Sequence, residues 1–266
     1  MKIMCLNAWG GNLYDKLLPY LSHSSPDILC LQEVIHSPAT NNDWLTYRDG
    51  DHVLPQRANL FQDVALALPD HLAMFCPAAQ GILWDENTEV PSQWGLATFV
   101  RKSFPVIAQI QDFVHKSYSP HAYGEHPRPR NAHAIKVFDY EKHRPVCVAH
   151  MHGLRDPQGK LDTPERTEQA RKFISIATRL VERHDPLIVC GDFNVEPESQ
   201  TLKILDAAGL TDLVTTRTIT GTRSSYYKKP GRYADYMLVN AYANVLDFKV
   251  VLDPEVSDHC PLVLEI

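Results

Sequence analysis

The chain has 266 residues, of which 44% are hydrophobic and 22% charged, and its formal net charge is −6. That profile excludes a disordered or fibrous chain and suits one large α/β domain spanning residues 1–266. The acidic balance argues against a protein that grips long nucleic acid, because such grip comes from basic residues that neutralise phosphates and release counterions. A local basic patch stays open.

The six cysteines, Cys5, Cys30, Cys76, Cys147, Cys190 and Cys260, form no Cys-x-x-Cys pair and lie mostly in apolar runs such as 27–31. They read as reduced, buried thiols rather than a disulfide framework or a zinc knuckle. The N-terminus reaches a polar Asn7 at once, and no later stretch is long and apolar enough to span a bilayer. A cytoplasmic protein is expected, and nothing in the sequence calls for an obligate protein partner.

Taken in order, 2–6 and 27–31 predict buried strands, with Leu13, Leu17, Leu18 and Leu21 at helical spacing between them. A second helix is predicted over 59–68. Strands then follow at 94–100, 106–110, 132–138 and 146–150. The strongest helix is predicted over 163–181, where Thr163 can cap, Pro164 suits the first position and Glu165 complements the helix dipole. Its apolar face is Ala170, Phe173, Ile174, Ala177, Leu180 and Val181. A strand at 187–190, a helix at 199–208 and strands at 235–239, 243–250 and 262–266 complete the chain. Several strands follow one another without a helix, which predicts a mixed sheet or a pair of sheets with helices outside. The least regular segments are 112–130 and 215–233. They read as function-bearing loops or as mobile surface excursions.

Polar residues fit for metal or phosphate chemistry recur at predicted strand ends: Asn7, Glu33 after Gln32, His150 with His152, Asp192 with Asn194, Asp235, and Asp258 with His259. A single Asp or Asn after a strand is usually a turn former or a cap. The repetition is not explained that way, because strand ends share one rim of a sheet.

These stretches, Leu6-Asn7-Ala8-Trp9-Gly10, Leu31-Gln32-Glu33-Val34, His150-Met151-His152-Gly153-Leu154, Gly191-Asp192-Phe193-Asn194, Ala234-Asp235-Tyr236-Met237-Leu238 and Ser257-Asp258-His259, resemble the endonuclease/exonuclease/phosphatase, or deoxyribonuclease-I-like, superfamily. Arg166 and Gln169 fit its pattern too. The resemblance implies an α/β (α+β) four-layer sandwich: two packed mixed β-sheets flanked by helices. It also implies a phosphoester hydrolase with Mg²⁺ or Mn²⁺ as cofactor.

By that resemblance Glu33 is the main metal ligand, with Asn7 and Asp258 near the ion. Asp192 orients or deprotonates the attacking water, and Asn194 holds the phosphate or Asp192. His259 faces the scissile phosphate with Asp235 on its other ring nitrogen, a pairing expected to favour the protonated imidazole. His152 is the second phosphate-facing histidine. His150 stands where relatives carry an amide, and is either a third phosphate contact or a satisfied structural histidine. Arg130 and Asn131 resemble residues placed near the substrate phosphate; the alternative is a surface arginine. Tyr226 and Lys228, with Tyr227 and Lys229, stack on a base or hold a phosphate, or form a solvated turn.

The implied partner is a phosphoester: a nucleic-acid end, a nucleotide, a phosphorylated small molecule or a lipid headgroup. A phosphodiesterase leads, a phosphomonoesterase is the alternative, and a catalytically silent binding protein is the reading from another class.

Overall fold

The computed structural model describes residues 1–156 and 159–266. The elements are β1 (Lys2–Asn7), a short 3-10 turn (Trp9–Gly11), α1 (Tyr14–Ser24), β2 (Ile28–His36), β3 (Trp44–Asp49), β4 (His52–Arg57), α2 (Leu60–Ala67), β5 (His71–Asp85), β6 (Thr88–Arg101), β7 (Val106–His115), β8 (Arg130–Asp139), β9 (Arg144–His152), α3 (Pro164–Thr178), β10 (Leu187–Asp192), α4 (Gln200–Ala207), β11 (Leu210–Asp212), β12 (Asp235–Asn240), β13 (Asp247–Val250) and β14 (Leu262–Glu265). An eight-stranded sheet runs β13-β14-β1-β2-β6-β5-β3-β4, and a six-stranded sheet runs β11-β12-β10-β9-β8-β7. Pairing is parallel between β1 and β2 and between β9 and β10, and antiparallel elsewhere.

The continuous apolar runs follow from coverage of both faces. In β1 and β2 the alternate residues Ile3, Cys5, Ile28 and Cys30 pack toward the six-stranded sheet. Their neighbours Met4, Leu6, Leu29 and Leu31 pack with Leu17 and Leu21 of α1 and Leu60 and Val64 of α2. On the far side α3 buries Ala170, Phe173, Ile176 and Ala177 in the same core as β8, β9 and β10. The result is the four-layer sandwich the motifs imply. All six cysteines are free and buried. Among the described residues no helix is long and apolar enough to cross a membrane.

The differences from the predicted elements have local causes. Helix α3 begins where its cap predicts, with the Thr163 hydroxyl accepting from the Arg166 amide, but it ends at Thr178, before Leu180 and Val181. Strands β3 and β4 form a half-exposed hairpin with no clean apolar alternation to betray it. Strand β5 hides behind Pro77, which sits at an irregularity in the ladder with β6.

Candidate active site

Strand register gathers the polar strand ends. Asn7 pairs with Gln32 across β1 and β2, His152 pairs with Asp192 across β9 and β10, and Asp192 pairs with Asp235 across β10 and β12. The two sheets meet at this rim through Asn7, whose Nδ2 donates to Asp192 Oδ2 at 3.0 Å.

Glu33 reaches the site because its strand is irregular. Successive strand residues normally face opposite sides. Between Leu31 and Val34 the ladder with β6 shifts, and Glu33 has φ +54°. Gln32 and Glu33 therefore both face β9: Gln32 Nε2 lies 3.2 Å from His150 Nδ1, and Glu33 Oε1 lies 3.8 Å from His152 Nε2. Glycine serves the same end at Gly191, whose φ is +143° and where a Cβ would meet the Met151 carbonyl oxygen.

His259 is held by Asp235, with Nδ1 at 2.8 Å from both carboxylate oxygens. Its Nε2 lies 3.5 Å from Asp192 Oδ2 and contacts Arg223 Nη1. A guanidinium only donates, so Nε2 accepts and the ring proton sits on Nδ1, directed at Asp235. In this arrangement His259 is neutral, unlike the expected imidazolium. Burial, then the Arg223 charge, pushes it down to about 4, while burial pushes Asp235 up to about 7.

Glu33, Asp258 and His152 are also shifted toward their neutral forms. Burial raises Glu33 and Asp258 above the usual carboxylate range, and neighbouring Asp192 adds to both. Burial, then the Arg130 charge, holds His152 well below the ordinary histidine value. Its ring lies against Trp94 with centroids 5.3 Å apart and planes tilted by 48°, and the Arg130 guanidinium lies over the same Trp94 ring, 4.8 Å from its centroid.

Asn194, at φ +55°, gives its amide N–H to Asp192 Oδ1 at 3.0 Å and its side-chain N–H to the Gly153 carbonyl at 3.3 Å. Arg130 Nε donates to that same carbonyl at 2.9 Å, and the residue is 5% exposed, so it is no surface arginine. Arg166 and Gln169 fasten the segment after His152: Arg166 donates to the carbonyls of Leu154, Gly159 and Leu161, and Gln169 Oε1 accepts from the Leu154 amide.

Other predicted residues stand apart from this cluster. His150 is enclosed between the sheets, bonded to Gln32 and, through Nε2, to Thr98 at 2.8 Å. Asn131 Nδ2 donates to the Cys76 carbonyl at 2.9 Å. Lys228 Nζ, exposed, donates to the Ser225 carbonyl. Tyr226 lies at the rim with its ring 6.3 Å from that of Trp9.

Arg223 is the residue that the motifs did not reveal. It sits among the acids, 3.1 Å from Asp258 Oδ2, with Tyr227 beneath it at 4.3 Å. The sequence carries only one signal for it, an arginine inside the irregular segment that precedes Asp235.

Asp192, Asp235 and His259 place three ligating atoms within 4.8 Å of one another. His259 Nδ1 is committed to Asp235, and Asp192 accepts from Asn7 and the Asn194 amide, so these three already have hydrogen-bond partners. Asp258 Oδ1, by contrast, is buried without a hydrogen-bond partner, and the Glu33 side chain is 31% exposed. Oxygen donors left open in this way fit a hard divalent cation.

Solved structures share this architecture. A mannosyl-6-phosphatase of Bacteroides thetaiotaomicron superposes with a TM-score of 0.71 at 16% identity, covering 100% of this chain and 98% of that one. The catalytic domain of human Nocturnin, with bound sulfate anion, gives 0.67 at 21% identity over 99% and 93%. D. rerio TDP2, complexed with single strand DNA product, gives 0.66 at 16% identity over 99% and 97%. At such identities the likeness establishes the fold. No curated protein matches the chain by sequence. The model of the Endonuclease/Exonuclease/phosphatase family matches residues 4–259, and the chain belongs to that family of phosphoester hydrolases.

Proposed function

We propose that the chain is a divalent-metal-dependent phosphodiesterase that cleaves a P–O bond by attack of water. The observation that carries this reading is the relay Asp235–His259 facing Asp192 Oδ2 across 3.5 Å, on the rim that Asn7 and Glu33 share.

Glu33, Asn7 and Asp258 would hold Mg²⁺ or Mn²⁺, with Asp258 Oδ1 and the Asn7 side-chain oxygen as oxygen donors beside the Glu33 carboxylate. When bound, the ion polarises the phosphoryl group and offsets the charge that develops on it. Asp192, fixed by Asn7 and by the Asn194 amide, orients the water and takes its proton. His259, its tautomer set by Asp235, has Nε2 unprotonated and donates to the phosphoryl group once it has taken up the proton that Asp192 holds 3.5 Å away; His152 faces the phosphoryl oxygens beside it. Arg130 adds positive charge behind His152. Tyr226 and Lys228, exposed near the rim, are available to a substrate group beyond the phosphate. The acidic chain favours a small or short substrate: a nucleic-acid end, a nucleotide or a phosphorylated small molecule.

The test is hydrolysis of bis(p-nitrophenyl) phosphate and p-nitrophenyl phosphate by chelator-stripped protein, with and without Mg²⁺ or Mn²⁺. Diester turnover that needs both the metal and Glu33 supports the reading. Turnover of the monoester alone moves the assignment to a phosphomonoesterase. Silence with both esters favours a binding protein.

A further inference from the structure

Arg223 is a built feature of the site. The backbone on both sides of it is tied to the segments that carry the acids. Thr222 Oγ1 accepts from the Asp235 amide at 3.0 Å, and the Thr222 carbonyl accepts from the Cys260 amide at 2.8 Å. The Ser224 amide donates to the Asp258 carbonyl at 3.0 Å, and the Ser224 hydroxyl donates to the Ser257 carbonyl at 2.7 Å. The side chain is 7% exposed and its plane is set by Tyr227.

Its donors are used unevenly. Nη1 is spent on Asp258 Oδ2 and His259 Nε2. Nη2 stands 3.9 Å from Asp192 Oδ2, too far for a hydrogen bond, and Nε is buried with no partner. A guanidinium that served only as a counter-ion to the acids would be expected to turn its two-donor edge onto a carboxylate, the geometry Arg and carboxylate adopt most readily. Here that edge is left unpaired beside the relay, with Nε buried and Nη2 falling short of Asp192. Two parallel N–H donors on a fixed plane match two non-bridging oxygens of a phosphoryl group.

We propose that Arg223 is a further catalytic residue of this site, which grips the reacting phosphoryl group through its Nε–Nη2 edge. The assignment rests on the phosphoester-hydrolase reading for its kinetic consequence, and on geometry alone for phosphate binding. Arg223 gives up its contact with His259 Nε2 when the phosphoryl group enters, freeing that nitrogen to face the substrate.

The experiment measures calorimetric binding of inorganic phosphate to the full chain loaded with Mg²⁺, for the wild type, R223K and R223Q. Thermal melts confirm folding, and kcat and KM for bis(p-nitrophenyl) phosphate are taken beside them. R223K keeps the charge and most of the stem, so it folds if either variant does. Phosphate affinity should fall about 10- to 100-fold in R223Q and by about 10-fold in R223K, which cannot present the paired donors. Mg²⁺ affinity should hold or rise, since a competing cation leaves Asp258. Unchanged phosphate affinity in R223Q overturns the proposal, as does a wild type that takes up no phosphate. Loss of Mg²⁺ affinity in step with phosphate also overturns it, by reducing Arg223 to a support for Asp258. A wild type that binds phosphate through Arg223 yet hydrolyses no ester sinks the hydrolase reading alone.

Discussion

Asn7 and Asp192 lie 185 residues apart in sequence and on different sheets, yet Asn7 Nδ2 donates to Asp192 Oδ2 at 3.0 Å. The amide cannot be turned over, because its oxygen accepts from the Trp9 amide at 2.9 Å. The backbone carbonyl of Asn7 also accepts from the Ser257 hydroxyl, next to Asp258. One side chain and its own carbonyl thus join three of the segments that build the site.

Asn7→Ala should therefore act on both turnover and stability. Without its donor, Asp192 Oδ2 is a buried carboxylate oxygen lacking its hydrogen bond, at a cost of about 1–3 kcal/mol. A misplaced catalytic carboxylate lowers kcat by roughly 10²-fold. Asn7→Asp should be worse on both counts, since it sets a second carboxylate against Asp192. Metal-dependent ester hydrolysis and thermal melts check this. A wild-type kcat in Asn7→Ala would remove Asn7 from the catalytic arrangement.

Glu33→Gln and His259→Ala separate metal binding from chemistry. Removing the Glu33 charge should weaken Mg²⁺ affinity and turnover together. His259→Ala should cut kcat by about 10²- to 10⁴-fold and leave Mg²⁺ affinity near wild type. Calorimetric titration of stripped protein reads the first quantity and ester hydrolysis the second. Equal loss of metal affinity in both variants would show the assigned roles to be wrong.

Most of the rim was legible in the sequence because strand ends are punctuated: an apolar run followed at once by Asn7, His152 or Asp192 marks both the strand and its exit, whereas Gln32-Glu33, expected to end 27–31, interrupts a strand that continues to His36. What was not legible depends on contacts between sheets. Strand periodicity does not distinguish His152, 3.7 Å from Asp192, from His150, enclosed two residues earlier. Both sit on one face of the same strand, and only the depth of the opposing sheet separates them. Arg223 was invisible for a related reason. Its place is fixed by hydrogen bonds from Thr222 and Ser224 to distant segments, and no periodicity records those. The open edge of its guanidinium is a property of the folded site alone.

Asp235→Asn should disable His259 without moving it. The amide can offer an N–H to Nδ1, which then becomes the acceptor and places the ring proton on Nε2, facing Arg223 and the substrate. The wrong tautomer should lower kcat by about 10²- to 10⁴-fold. Nitrogen NMR of the imidazole would report the tautomer directly. A variant that keeps Nδ1 protonated and loses activity would sink the tautomer argument.

The buried histidines between the sheets predict a pH effect far from the phosphoryl chemistry. Thr98 Oγ1 lies 2.7 Å from His133 Nδ1 and 2.8 Å from His150 Nε2, while His133 Nε2 faces Gln109 Oε1 at 3.3 Å. The chain of donors fits neutral rings: His133 gives its proton to Gln109 and accepts from Thr98, which in turn accepts from His150. Burial pushes His133 down to about 4. The unfolded chain takes up that proton below about 6.5, and the folded protein does not until about 4. The unfolded state binds more protons across this window, so the histidine's contribution is whole above pH 6.5 and is lost as pH falls toward 4. From the size of the shift, about 3 kcal/mol is at stake. Glu33, Asp235 and Asp258 are raised by burial and run the opposite way, since the folded state holds their protons longer. The test is therefore a difference. The stability gap between wild type and His133→Gln, from urea unfolding, should shrink by about 3 kcal/mol between pH 7 and pH 4. A gap that stays constant across that range would mean that His133 is not held neutral in the fold.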